Sequence, residues 1–200
     1  MLGDAGDAPA LPRLGFPEAP VLSKHHSPRP QMTAPMLISL QTAKAAGVQL
    51  KNLRSCQSRD GEAWSASVYF QGKKVGSVCD QGCGGPVDCD VPDSVLQTIR
   101  TGVEAAGYIA YDWEGKPYET PLDLLAFAEF FFADLSCDTE WAKRMRPKLK
   151  TKTILRMKDA PEGEVQIYSV TFGPEVKERL AARHGGNVEF FLNEKINDLL

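Results

Sequence analysis

The stretch WSASVYFQGKKVGSVC, from Trp64 to Cys79, decides the fold class. Trp64, Ala66, Val68 and Phe70 alternate with Ser65, Ser67, Tyr69 and Gln71. A period of two places one set on a core face and the other toward water, the pattern of a half-buried strand. Gln71-Gly72-Lys73 supplies turn residues and Val75–Cys79 returns, so the segment reads as an antiparallel hairpin. Upstream, Val48–Cys56 reads as a further strand, preceded by a short helix at Ala43–Ala46 that Gly47 stops. Downstream, Asp80-Gln81-Gly82-Cys83-Gly84-Gly85-Pro86 is a loop by composition.

Helical periods follow. Asp90 or Pro92 opens a helix to Ala106, with Val95, Leu96, Ile99 and Val103 on one face and Gly107 ending it. A second helix is expected from Thr120-Pro121 to about Leu135, with Asp123 beside its positive end. Its interior, LLAFAEFFFADL, is apolar nearly all round; at about 15 residues it is too short for a bilayer, so it reads as a core or interface helix. Phe127, Phe130, Phe131 and Phe132 are expected in that core. Strands near 149–157 and 165–172 flank the turn DAPEGE, a helix Pro174–His184 stops at Gly185-Gly186, and Asn193–Leu200 forms a last short helix. Elements mixed in this way predict an α+β fold, a small antiparallel sheet with packed helices, in one domain spanning 36–200.

Residues 1–35 differ. They hold half of the 14 prolines, three acidic and three basic side chains, and no apolar period. Such a stretch cannot offset the entropy of ordering its backbone, and is expected to be a disordered leader. Met32 and Met36 stand where ordered sequence begins. The opening, MLGDAGDAPALPRLGFPEAP, has no basic segment followed by an apolar run, so no signal peptide is expected and a reducing cytoplasm is.

Composition excludes several classes. The 200 residues are 42% hydrophobic and 24% charged, too apolar for a wholly disordered chain, and no run approaches the ~18 apolar residues of a membrane span. Of three histidines, His25 and His26 lie in the leader, so a Ser-His-Asp, Cys-His or zinc-hydrolase site would have to be built around His184 alone. Five cysteines cannot all pair within one chain. Cys79, Cys83 and Cys89, with Asp80, Asp88 and Asp90 nearby and Cys56 on a neighbouring strand, are the right ligand types for zinc. Their spacing is not that of paired knuckle cysteines, so no metal and no cofactor are expected.

Three further features bear on binding. Gly82, Cys83, Gly84 and Gly85 could present backbone N–H groups to an anion, or simply let the chain turn off a strand. Tyr108, Tyr111, Trp113 and Tyr118 sit among acids, either as a protein-binding patch or as loop packing. Charge is segregated: residues 80–140 hold 13 acidic and 2 basic side chains, whereas residues 143–158 hold eight basic and no acidic ones. Taken as a strand, Lys148, Lys150, Lys152, Ile154, Arg156 and Lys158 share one face, a basic ridge. That ridge could bind nucleic acid, pair with the acidic region of its own fold, or guard an edge strand.

The run Ser58-Arg59-Asp60-Gly61-Glu62-Ala63-Trp64-Ser65-Ala66-Ser67-Val68-Tyr69, then Gly72-Lys73-Lys74-Val75-Gly76 and Gly82-Cys83-Gly84-Gly85, resembles a family of small accessory proteins of tailed phages and prophages. Their pattern is roughly S-E-E-T-x-x-F-x-A-x-x-Y-x-D-G-K followed by N-D-G-x-G-G. The ending Phe191-Leu192-Asn193 looks similar too, so the resemblance extends over 48–200. Here Arg59-Asp60-Gly61 replaces E-E-T and Asp80-Gln81 replaces N-D. The resemblance implies an accessory phage or mobile-element protein acting in the bacterial cytoplasm, and nothing about catalysis.

The expectation is therefore a non-enzymatic phage or mobile-element protein that binds a host or defence protein through the basic face, Lys148, Lys150, Lys152, Arg156 and Lys158. One alternative is nucleic-acid binding by that face. Another is a small-ligand binder or enzyme centred on the Gly82–Gly85 loop, with Cys83 as its nucleophile.

Overall fold

The computed structural model describes residues 21–22, 37–112, 114–161 and 164–199. Helix α1 (Ile38–Ala45) leads into a meander, β2 (Val48–Gln57), β3 (Glu62–Phe70), β4 (Lys73–Asp80) and the short β5 (Asp88–Asp90), in spatial order β2-β3-β4-β5. The β3–β4 hairpin is the one read from the alternation. Gln71 and Gly72 both have positive φ, 48° and 79°, as a two-residue primed turn requires. Trp64, Ala66, Val68 and Val78 face the core.

Helix α2 (Asp93–Ala105) buries Leu96, Ile99 and Val103, the stripe its period predicts. Helix α3 (Leu124–Leu149) is 26 residues long, about 39 Å at 1.5 Å per residue. Its cap is Asp123, whose carboxylate accepts from the Ala126 N–H at 2.8 Å, so the helix begins later than Thr120-Pro121 suggests. It also ends fourteen residues later than expected. Phe127, Phe131 and Phe132 are fully buried, the first two beside Tyr108, whereas Phe130 is half-buried against Tyr118.

A second antiparallel sheet contains β6 (Thr153–Met157), β7 (Val165–Tyr168) and β8 (Val188–Phe191), with α4 (Pro174–Arg183) before β8 and α5 (Leu192–Leu199) after it. The two-residue β1 (Val21–Leu22) pairs with β7, giving the order β1-β7-β6-β8. The rest of the expected leader, with His25 and His26, and Trp113 lie outside the described residues. The architecture is thus α+β, with two small sheets rather than one. Ile154 and Ile167 join the main core, while Leu155 and Met157 pack with Leu180 of α4 on the opposite face. Both faces of the second sheet are therefore covered. No described helix is long and apolar enough to cross a membrane.

One side chain ties the long helix to the second sheet. Asn193, 8% exposed, accepts from the Ile154 N–H at 2.9 Å and donates to Lys152 O at 2.9 Å and Leu149 O at 3.2 Å. It closes the turn from α3 into β6 using both ends of its amide. Asn193→Ala is expected to cost about 2–3 kcal/mol, because a buried N–H and two carbonyls lose their partner. Asn193→Asp should not rescue it, since a carboxylate cannot donate to the two carbonyls; urea unfolding of both variants checks this.

Candidate functional site

The long helix replaces the expected ridge. Leu135, Asp138, Ala142, Met145 and Leu149 are buried at steps of three and four, a helical stripe that carries α3 through Pro147 to the start of the second sheet. Pro147 removes a bond to the Lys143 carbonyl but sits near the helix end, where packing of Met145 and Leu149 outweighs the loss. Lys148 lies in the last turn and Lys150 at its C-cap, Lys152 lies in the connection, and β6 begins only at Thr153. The five basic residues therefore share no strand face.

Arg156 is the one of the five within β6, and its role is structural. Its side chain is 11% exposed and pairs with Glu189 at 3.2 Å. The guanidinium donates to Pro161 O at 2.7 Å, Glu164 O at 3.0 Å and Ala160 O at 3.1 Å, closing the DAPEGE turn. Lys158 is exposed and donates to Gly186 O at 2.9 Å. Because β6 lies between β7 and β8, it is no edge to guard, and Arg156 pairs with β8 rather than with the acidic 80–140 region. Arg156→Lys should destabilise the fold by about 1.5–3 kcal/mol by chemical denaturation, since an ammonium cannot reproduce a planar fork across three carbonyls.

What remains is a cationic cluster. Lys143, Arg144, Arg146, Lys148, Lys150 and Lys152 are six bases with no acid among them in residues 143–152. Lys143, Arg144, Arg146 and Lys150 are exposed, and Lys148 and Lys152 are half-buried. Among the described residues none of the six side chains makes an ion pair or hydrogen bond. Cations near a helix C-terminus interact favourably with its free carbonyls, which explains two or three of them locally. Six without a counter-ion among the described residues present a field that an anionic surface would neutralise. Lys143, Arg144 and Arg146 lie outside a ridge read as a strand, because they belong to the helix that precedes it. Helical periodicity from Leu135 onward was the signal that would have included them.

The glycine loop is built for packing. Gly82 is buried at φ 68°; a Cβ there would lie 2.7 Å from Ala63 N and 2.8 Å from Ser58 Oγ. Its N–H is taken by Asp80 Oδ1 at 2.8 Å and its carbonyl by the Ser58 hydroxyl at 2.7 Å. The turn thus stitches the β2–β3 loop to the β4–β5 loop, and the anion-facing N–H is occupied by the chain's own carboxylate. Cys83, Gly84 and Gly85 are exposed.

Strand register separates the thiols. Cys79 is paired with Asp88, and Val78 with Cys89. Cys89 therefore shares the core-facing side with Val78, while Cys79 lies on the other face. Burial pushes the Cys79 thiol above its ordinary range, helped by Asp88, and burial does the same for Cys89, so both favour the neutral thiol over the metal-binding thiolate. Among the described residues no group of three or more His, Cys, Asp and Glu side chains could hold a metal ion.

His184 packs edge-on against Tyr168, whose hydroxyl lies 2.8 Å from Nε2 and donates to Gln166 Oε1 at 2.9 Å. Tyr108 does not join an exposed aromatic patch: it is buried, and its hydroxyl donates to Asp134 at 2.9 Å. Tyr111 is half-buried and Tyr118 is exposed. Comparison with family models, curated proteins and solved structures finds no match to this chain.

Proposed function

We propose that this chain is a non-enzymatic binding protein, an accessory protein of a phage or mobile element that docks an acidic surface of a host or defence protein. The observation that carries the docking reading is the cationic end of α3, whose six bases make no ion pair among the described residues. The sequence resemblance described above supports the phage setting. Long-range attraction between such a surface and an acidic one accelerates association and selects partners by charge.

Nucleic acid is the second reading, favoured by the same cations, because phosphates also neutralise them. The two separate in one experiment. The tagged chain and its Arg144→Glu/Lys150→Glu variant are used to capture partners from bacterial lysate, with and without nuclease. A protein partner retained after nuclease by the wild type and lost by the variant is expected. Capture that disappears with nuclease transfers the surface to nucleic acid.

A further inference from the structure

A recess of about 120 Å³ opens where α1, β2, α3 and α5 meet, beside the cationic cluster. Leu40, Val48 and Leu135 give it an apolar interior, and Lys44, Lys143 and Arg146, all exposed, stand around it. Leu135, Thr139, Lys143 and Arg146 are spaced by four, four and three residues, so one stripe of α3 forms a whole wall. The Lys44 ammonium donates one proton to the Asp198 carbonyl, which holds it at the recess with two donors to spare.

Thr139 is the second, independent observation. It lines the recess, is only 4% exposed, and its hydroxyl has no hydrogen-bond partner among the described residues. Among the described residues no side-chain nitrogen or oxygen sealed from solvent lacks a partner, so this hydroxyl is reached from solvent, and its residue lines the recess. A hydroxyl in a hollow lined by both apolar residues and three cations, with no acceptor among the described residues, is a donor to spare. An apolar cavity of about 150 Å³ accommodates a benzene ring, so this one has room for an anionic head and a few methylenes.

We propose that the recess binds a small amphiphilic anion, a carboxylate or phosphate monoester on a short alkyl stem. The head accepts from Thr139 Oγ1, Lys44, Lys143 and Arg146, and the stem lies against Leu40, Val48 and Leu135. Charge-assisted hydrogen bonds supply the selectivity for an anion and apolar burial adds to the affinity. This inference rests on the recess and does not require the docking function: Lys143 and Arg146 line the recess and belong to the cationic cluster as well, whereas Arg144 and Lys150 lie outside the recess.

The test titrates butyrate, butyl phosphate and butanol into the full chain at constant ionic strength, following the amide resonances of Leu40, Thr139 and Leu199. Saturable shifts with one or both anions and none with butanol are expected. Arg146→Gln should weaken binding about tenfold and Thr139→Val about fivefold, each removing one donor. Arg144→Gln and Lys148→Gln lie about 100° or more around the helix from Lys143 and should leave the affinity within about twofold. Equal shifts with butanol, no saturation with either anion, or the same loss in Arg144→Gln as in Arg146→Gln would overturn the proposal. Arg146 is exposed, so that variant is expected to fold and reports even if Thr139→Val does not.

Discussion

Gly76→Ala is expected to cost about 3 kcal/mol or more of folding stability, the largest effect of any single methyl in the described chain. A Cβ at Gly76 would stand 1.9 Å from the Asp90 carbonyl oxygen and 2.9 Å from Val91 Cγ2. Both the carbonyl and the glycine belong to neighbouring strands, so the backbone of β5 must move rather than a flexible side-chain end. Overpacking of this kind usually costs 1–3 kcal/mol, and here the obstacle is main chain. Moving β5 also breaks the Ser77–Asp90 and Val78–Cys89 pairings and exposes Val91, which is 6% exposed. Against a total stability of about 5–15 kcal/mol, the urea midpoint should fall by about 1–2 M. Gly84→Ala is the matched control. Its φ is 77° but nothing lies within 4 Å of the added carbon, so only the left-handed strain of about 1 kcal/mol applies. A Gly76→Ala variant within 0.5 kcal/mol of wild type would show that β5 does not pack on β4 as described.

The second large effect is on binding. Arg144→Glu/Lys150→Glu changes the local charge by four units without touching a packed side chain, both residues being exposed. Loss of favourable helix-end interactions should cost about 0.3–1 kcal/mol per site, which leaves the domain folded. Association with an acidic partner should slow by about tenfold or more at low salt, because steered encounters depend on this field. The gap between variant and wild type should narrow as ionic strength rises and the Debye length shrinks to a few ångströms. Arg144→Gln/Lys150→Gln should fall between the two. If the double reversal binds as fast as wild type at low salt, the cations are not part of an interface.

The sequence told the two halves of the fold with unequal clarity, for physical reasons. The β3–β4 hairpin was legible because Trp64, Ala66 and Val68 alternate strictly and Gln71-Gly72 has turn chemistry. Helix α2 was legible because its stripe is clean and Gly107 ends it. The segment around Pro147 was not. Leu149, Thr151, Thr153, Leu155 and Met157 alternate with Lys148, Lys150, Lys152, Ile154, Arg156 and Lys158, a period of two that reads as one strand. That pattern straddles a helix end and a strand start, and the deciding fact, burial of Met145 and Leu149 on a common stripe with Ala142, is tertiary. The four-residue β8 and three-residue β5 are too short to show a period. At the candidate site, the cations were visible as residue types, but whether they meet counter-ions among the described residues is a property of three-dimensional placement. The same holds for Gly82, where composition suggests a turn or an anion nest and only the Ser58 and Ala63 contacts choose between them. Asn193 stands in the sequence only as the start of a short helix and in the resembling ending, and its three backbone partners explain why an amide suits that position.

Lysine labelling tests the central claim most directly. The free chain and the captured complex are treated with an amine-reactive acylating reagent, and modification of each lysine is read by mass spectrometry. Lys73 and Lys74, exposed at the β3–β4 turn, serve as internal references, and Lys143 and Lys150 are exposed in the free chain. Lys143 and Lys150 are expected to lose most of their reactivity in the complex while Lys73 and Lys74 keep theirs. Unchanged labelling of Lys143 and Lys150, with protection elsewhere on the molecule, would contradict it.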